Sequence, residues 1–196
     1  MKTIAITLPS FIADEGKLIN RLFEEGYWRV HIRKPGATAD QHRRLIEQID
    51  PRWHQSLSLH DHHEVALEYG CGIHLNARHP EPPSCCSATL SASCHSFAEV
   101  VKMKRVCQYV FLSPIFDSIS KVGYAAAFPE EQLRQAAKER LIDRQVVALG
   151  GVTATNIAAL KAWHFGGAAF LGDVWSRMGD PNVDAYLAHL RQLLHE

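Results

Sequence analysis

The sequence predicts a (β/α)8 barrel of minimal size, a single domain spanning residues 1–196. Three observations carry that expectation. Short apolar runs alternate with helical patterns about eight times in order, which implies parallel strands joined by helical crossovers. Nearly every run ends in polar residues or glycine, as the strands of such barrels do at their C-terminal face. The stretch 109–124, YVFLSPIFDSISKVGY, starts as an aromatic and aliphatic strand and breaks at Ser113-Pro114, where proline cannot donate to a ladder. It continues as a polar loop carrying Lys121. A doubly wound open sheet is the competing architecture, but the first strand–helix turn, 9–14, lacks its glycine fingerprint.

The elements follow in order. Residues 4–8 read as a strand stopped by Pro9, and 14–25 as a helix with Leu18, Ile19, Leu22 and Phe23 on one face and Gly26 as its stop. A strand over 28–32 runs into Arg33-Lys34-Pro35-Gly36, and a helix over 39–49 is closed by Pro51. A short strand over 57–59 meets His60-Asp61-His62-His63, then a short helix over 64–69 ends at Gly70. The strand 71–75 leads to Asn76 and a proline-rich loop reaching Pro83, with little room for a helix. A weak strand over 88–92 and a helix over 97–103 precede the strand that opens the 109–124 stretch. The helix 129–140 has Pro129 near its first turn. The strand 145–149 ends at Gly150-Gly151, and the helix 155–163 is capped by Thr153 or Thr155. The strand 168–171 ends at Gly172-Asp173, and a last helix covers 183–194.

Lys+Arg and Asp+Glu are both 21, so the net charge is zero and no phosphate-tracking surface for nucleic acid is expected. Five cysteines without a CxxC pair make a poor disulfide framework. There is no signal-like N-terminus and no 18-residue apolar span, so the expectation is a reduced, cytoplasmic protein with no membrane partner. Whether it forms a homo-oligomer stays open.

The strand ends name the candidate site. They read His31 and Arg33, His60 and Asp61, His74 and Asn76, Ser93 and His95, Ser113 with Lys121 beyond it, Gly150 and Gly151, then Gly172 and Asp173. Gly150-Gly151 precedes a helix and Gly172 follows the last strand, the usual barrel position for a phosphate; the alternative is that they only make tight turns. Arg33, Lys34 and Lys121 suit a second anionic group. Asp61 suits Mg²⁺ or, equally, a helix N-cap. The run from His60 to His63 does not make a zinc motif, because adjacent residues diverge in direction. His95, beside Ser93, is the best-placed general base. The implied partner is a small phosphorylated molecule.

These residues together resemble the thiamine-phosphate synthase / TenI family. The markers are HIRKPG at 31–36, LHDHHEVALEYGCGIHLN at 59–76, SCHSFAEV at 93–100, YVFLSPIFDSISK at 109–121 and ALGGVTATNI at 148–157. The resemblance implies a (β/α)8 fold and one of two activities. The synthase branch joins a hydroxymethylpyrimidine diphosphate to a thiazole phosphate with Mg²⁺; the other includes an aromatase that tautomerises a carboxythiazole phosphate without a metal. Arg33 matches the family, whereas His31 stands for a glutamine, Pro35 takes a lysine position that Lys34 fills only by a shift, and His79 stands for a second acidic metal ligand. Asp61, Ser93, His95 and Lys121 match family positions. The departures fall at the diphosphate and Mg²⁺ end. The resemblance therefore leans to a tautomerase: Gly150, Gly151 and Gly172 hold phosphate, His95 moves a proton, Arg33 or Lys121 holds a carboxylate, and His31, His74, Asn76 and Ser113 line the substrate. In the synthase alternative Asp61 holds Mg²⁺ and Arg33, Lys34 and Lys121 hold diphosphate. A third alternative is a non-catalytic binder of thiazole or thiamine phosphate.

Overall fold

A computed structural model describes residues 1–84, 86–117 and 126–195. Its core is a closed parallel barrel in strict sequence order, β1 (Lys2–Ile6), β2 (Arg29–Ile32), β3 (Leu57–Leu59), β4 (Gly72–Leu75), β5 (Leu90–Cys94), β6 (Tyr109–Leu112), β7 (Val146–Ala148) and β8 (Gly167–Phe170). The ring closes where Ile4 of β1 pairs with Ala169 of β8. The helices are α1 (Glu15–Glu24), α2 (Ala39–Ile46), α3 (His63–Glu68), α4 (Phe97–Met103), α5 (Glu130–Lys138), α6 (Ile157–Ala162), α7 (Gly172–Trp175) and α8 (Val183–His195). No helix is assigned between β4 and β5 among the described residues; an Asn76–His79 antiparallel bridge makes a tight turn there instead. None of the described helices is long and apolar enough to cross a membrane.

The expected fold class stands, with shifted edges. β1 begins and ends two residues earlier than read, because its pairing with β8 starts at Lys2. β5 lies two residues later than read. The run S-A-T-L-S-A-S-C is too weakly apolar to mark its own ends, and register with β6, Ser91 opposite Tyr109, sets them. The short α7 and a 3-10 turn over Pro51–Ser56 were not foreseen; the latter has proline at its first position, where the lost N–H costs nothing.

Alternation along each strand divides the side chains into two sets. The outward set, such as Val30, Ile32, Leu57, Leu59, Ile73 and Val110, packs under the helices in the main core. The inward set is itself divided. Ile4, Ile6, Tyr109, Phe111, Val147 and Ala169 form an apolar wall from β1 and β6–β8. Arg29, His31, Ser58, His74 and Ser91, all buried, form a polar wall from β2–β5. A polar wall inside a barrel is tolerable only if its groups find partners; His31 pairs with His60 and Tyr109, His74 with Ser91 and Ser93, and Arg29 Nη1 donates to Leu57 O, while Arg29 Nε has no partner among the described residues.

One buried ion pair fixes the loop after β1. Lys34 is fully buried, and its ammonium donates to Glu15 Oε1 at 2.6 Å, Leu8 O at 2.9 Å and Ser10 O at 2.8 Å. Three acceptors use all three protons of the ammonium. Burial pushes the Lys34 pKa down and that of Glu15 up, and their mutual attraction opposes both shifts. The pair clamps residues 8–15 onto the end of β2. Lys34→Met leaves Glu15 buried without a counter-charge and is expected to cost about 3–5 kcal/mol in urea unfolding. Adding Glu15→Leu to that variant should recover most of the loss; equal stability of single and double variants would contradict the clamp.

Candidate active site

The C-terminal ends of the strands surround a cavity of about 510 Å³. Arg33 follows β2, His60 follows β3, Asn76 and Arg78 follow β4, Ser93 and His95 come from β5, Ser113 follows β6, Gly150 and Gly151 follow β7, and Gly172 and Asp173 follow β8. The cavity floor and one side are apolar, from Ile6, Leu149, Ala169 and Leu171, with Pro114 and Phe116 at the edge. A ring-sized apolar body with polar groups at two ends fits such a space.

At the β7 end the backbone itself lines the cavity. Gly150 and Gly151 adopt φ of +92° and +64°. A Cβ on Gly151 would meet Asp117 O at 2.2 Å, and one on Gly150 would meet Pro114 Cα at 2.9 Å. Asn156 braces the loop, donating to Gly151 O at 2.9 Å and accepting from Thr153 N at 3.0 Å. No described residue accepts from the N–H of Gly151 or Val152, the kind of backbone donors that can receive an anion. Across the same cavity Gly172 opens α7. The neighbouring Asp173 carboxylate is drawn towards α8 by the Tyr186 hydroxyl, with Arg177 beside it, which relieves the repulsion its position suggested.

His95 sits opposite. Its Nδ1–H donates to Ser113 O at 3.0 Å; a carbonyl only accepts, so the proton is on Nδ1 and Nε2 carries the lone pair. Its backbone N–H donates to Glu99 Oε2 at 2.5 Å, and Ser96 caps α4 through Glu99 N. The turn that carries the imidazole is thus tied to α4. Ser93 Oγ lies 2.9 Å from His74 Nε2, which orients its hydroxyl at the cavity wall.

The cation side differs most from the sequence reading. Asp61 is nearly buried, and both of its oxygens accept from the Arg78 guanidinium, at 2.7 and 3.1 Å from Nη2 and 3.1 Å from Nε. His79 Nε2 lies 3.4 Å from the same carboxylate. Arg78 rather than Asp61 lines the cavity, and Asp173 is the one carboxylate among the described residues that does. Mg²⁺ requires several oxygen donors. Here the one carboxylate is committed to a guanidinium, and an imidazole rather than a second carboxylate stands beside it. These residues do not fit Mg²⁺.

Placement corrects two more expectations. Lys34 does not reach the cavity, because Glu15 and two carbonyls hold it in the β1 loop. His31 and His74 are not on the rim but one layer below it, fully buried in the polar wall. Asn76 is on the rim with a structural task, donating to His60 O at 2.7 Å and accepting from Arg78 N at 2.9 Å. Lys121 lies outside the described residues. Arg33, Ser93, His95, Ser113, Gly150, Gly151 and Gly172 come together as expected. Arg78 was missed. Its only sequence signal is a cation two residues past a strand-end asparagine, which means nothing until the tight turn at Asn76–His79 folds it back onto Asp61.

A family model described as thiamine monophosphate synthase matches residues 4–174. A thiamine phosphate pyrophosphorylase from Bacteroides thetaiotaomicron superposes with a TM-score of 0.85 at 39% identity, covering 98% of this chain and 95% of that one. The enzyme of the same name from Pyrococcus furiosus gives 0.78 at 20% identity, with 99% and 95% coverage, and phosphoribosyl anthranilate isomerase from Thermotoga maritima gives 0.64 at 12%, with 100% and 99%. The last two share the fold.

Gly151→Ala tests the backbone cradle. The left-handed backbone and the 2.2 Å approach to Asp117 O should cost about 1–2 kcal/mol or more in stability. Inorganic phosphate should raise the melting temperature of the parent protein and not of the variant; an equal rise in both would remove Gly151 from the anion site.

Proposed function

The chain belongs to the thiamine monophosphate synthase family, and from that premise we propose that it acts on a thiazole phosphate as a tautomerase rather than as the coupling enzyme. The observation that carries this reading is the Asp61–Arg78 pair: a guanidinium stands where a synthase of this family would need a hard cation. Departure of diphosphate develops concentrated negative charge that has to be stabilised. With Lys34 locked on Glu15, the described cations at that end of the cavity are Arg33 and Arg78. Two guanidiniums suit a planar carboxylate, which accepts bidentate donors.

In this reading the phosphate rests on the N–H groups of Gly151 and Val152, with Gly172 across from them. The ring lies on Leu149, Ala169 and Leu171, and its carboxylate faces Arg33 and Arg78. His95 Nε2 takes a proton from a ring carbon as the ring becomes aromatic. The imidazolium then returns that proton to another carbon of the same molecule, so nothing is gained or lost overall. The Ser113 carbonyl keeps the acting nitrogen facing the ligand and stabilises the transient positive charge. Ser93 orients the substrate from the same wall.

The second reading, a thiamine-phosphate synthase, is favoured by the 39% identity to the thiamine phosphate pyrophosphorylase from Bacteroides thetaiotaomicron. Two incubations separate the readings. The non-aromatic carboxythiazole phosphate should aromatise, followed by absorbance. Hydroxymethylpyrimidine diphosphate with thiazole phosphate and Mg²⁺ should give no thiamine phosphate above background; clear turnover there would overturn the tautomerase reading. His95→Ala should lower the aromatisation rate by about 10²–10⁴-fold without changing the melting temperature.

A further inference from the structure

Beneath the cavity three imidazoles from adjacent strands meet inside the barrel. His31 on β2, His60 at the end of β3 and His74 on β4 each offer a ring nitrogen, and these nitrogens lie within 4.8 Å of one another. His31 Nδ1 and His60 Nε2 are 3.0 Å apart, and the His60 and His74 rings stack at 4.0 Å. Nitrogens bound to one zinc at ~2.0–2.1 Å sit roughly 3.3 Å apart in a tetrahedron. His31 Nδ1 and His60 Nε2 already stand near that spacing, and the His74 ring must turn out of its stack on His60 to bring a nitrogen to the same point.

The nitrogens on the far side of two of these rings are already held by hydroxyls. His31 Nε2 is 2.6 Å from the Tyr109 hydroxyl, and His74 Nδ1 is 2.9 Å from Ser91 Oγ. Ser91 Oγ donates onward to Ile73 O at 3.4 Å, which leaves its oxygen to accept from His74 Nδ1, and Ser58 Oγ lies 3.4 Å from the Tyr109 hydroxyl. In the ligating tautomers both hydroxyls accept, the ring protons being on His31 Nε2 and His74 Nδ1 and the lone pairs on His31 Nδ1 and His74 Nε2. A second partner that fixes the tautomer is the usual support of a metal-ligating histidine. Burial keeps all three rings neutral, the ligating form: His74 is pushed down to about 3, and His31 and His60 fall well below the ordinary range.

We infer that His31, His60 and His74 form a site for a borderline divalent cation of the zinc class in the polar wall beneath the cavity. His31 binds through Nδ1, His60 through Nε2 and His74 through Nε2. On binding, the His60 proton moves from Nε2 to Nδ1, on the ring that lines the cavity, and Ser93 turns its hydroxyl away from His74. The fourth position then faces the cavity beside Ser93. A doubly charged ion among three neutral ligands favours an anionic oxygen there, from hydroxide or from a bound ligand. An all-nitrogen set excludes Mg²⁺ and Ca²⁺ as occupants. The inference stands apart from the proposed proton shift, and its test reads metal rather than turnover.

Chelator-treated protein is titrated with zinc chloride by calorimetry and with cobalt(II) by visible absorption. One zinc per chain and the intense cobalt spectrum of a tetrahedral site are expected, with a raised melting temperature. Tyr109→Phe, which removes only the hydroxyl behind His31, should weaken zinc about 10–100-fold. His31→Gln and His60→Gln, close to isosteric, should weaken it further. His79→Gln, which removes a neighbouring imidazole outside the cluster, should change nothing. Failure to bind one zinc, a weak octahedral cobalt spectrum, or binding that survives His31→Gln and His60→Gln would each overturn the site. The cobalt spectrum of the unsubstituted protein decides even if a variant fails to fold.

Discussion

Eight parallel strands of only three to five residues must close into a ring, and that closure governs the rest of the molecule. Strands so short send only one to three side chains each into the interior, the last of them at the rim. With so few inward positions, each is used. β1 and β6–β8 supply the apolar wall of Ile4, Ile6, Phe111, Val147 and Ala169. β2–β5 supply Arg29, His31, Ser58, His74 and Ser91. The cavity above inherits this division: apolar and glycine-lined towards β7 and β8, cationic and imidazole-lined towards β2–β5. A ligand with an anion at each end and a flat ring between matches that polarity.

Two ion pairs near the β2–β4 ends do opposite jobs. Lys34 with Glu15 is dry and complete, so its charge is spent on holding the β1 loop. Arg78 with Asp61 is partly exposed, and a guanidinium bonded to one carboxylate keeps donors for another anion. The sequence offered Lys34 as one of three anion-binding cations and Asp61 as a Mg²⁺ ligand or, equally, a helix N-cap. Lys34 is instead drawn into the β1 loop, and the Asp61 carboxylate holds Arg78.

The barrel itself was legible because it rests on patterns repeated eight times, where one misplaced edge does no harm. The rim residues Arg33, Ser93, His95, Ser113, Gly150, Gly151 and Gly172 were legible for the same reason, since a strand end is easy to find. What the sequence hid depends on one residue of phase or on a turn. His31 and His74 are each two positions before a rim residue, Arg33 and Asn76, and period-two alternation puts them a layer lower on the same inward face. Arg78 is brought to Asp61 by the turn from Asn76 to His79. The partner of Lys34 is 19 residues away, in α1. None of these can be read from spacing without coordinates.

The central claim is that a guanidinium anchored on Asp61 does the work of a hard cation at the ligand's second anionic group. The most direct measurement is the calorimetric affinity for the aromatic carboxythiazole phosphate with and without added Mg²⁺. The same dissociation constant in both conditions is predicted, together with a loss of about tenfold or more in Arg78→Ala, in line with a charged hydrogen bond worth ~1.5–3 kcal/mol. A tenfold or greater tightening by Mg²⁺, with Arg78→Ala binding as well as the parent protein, would contradict it.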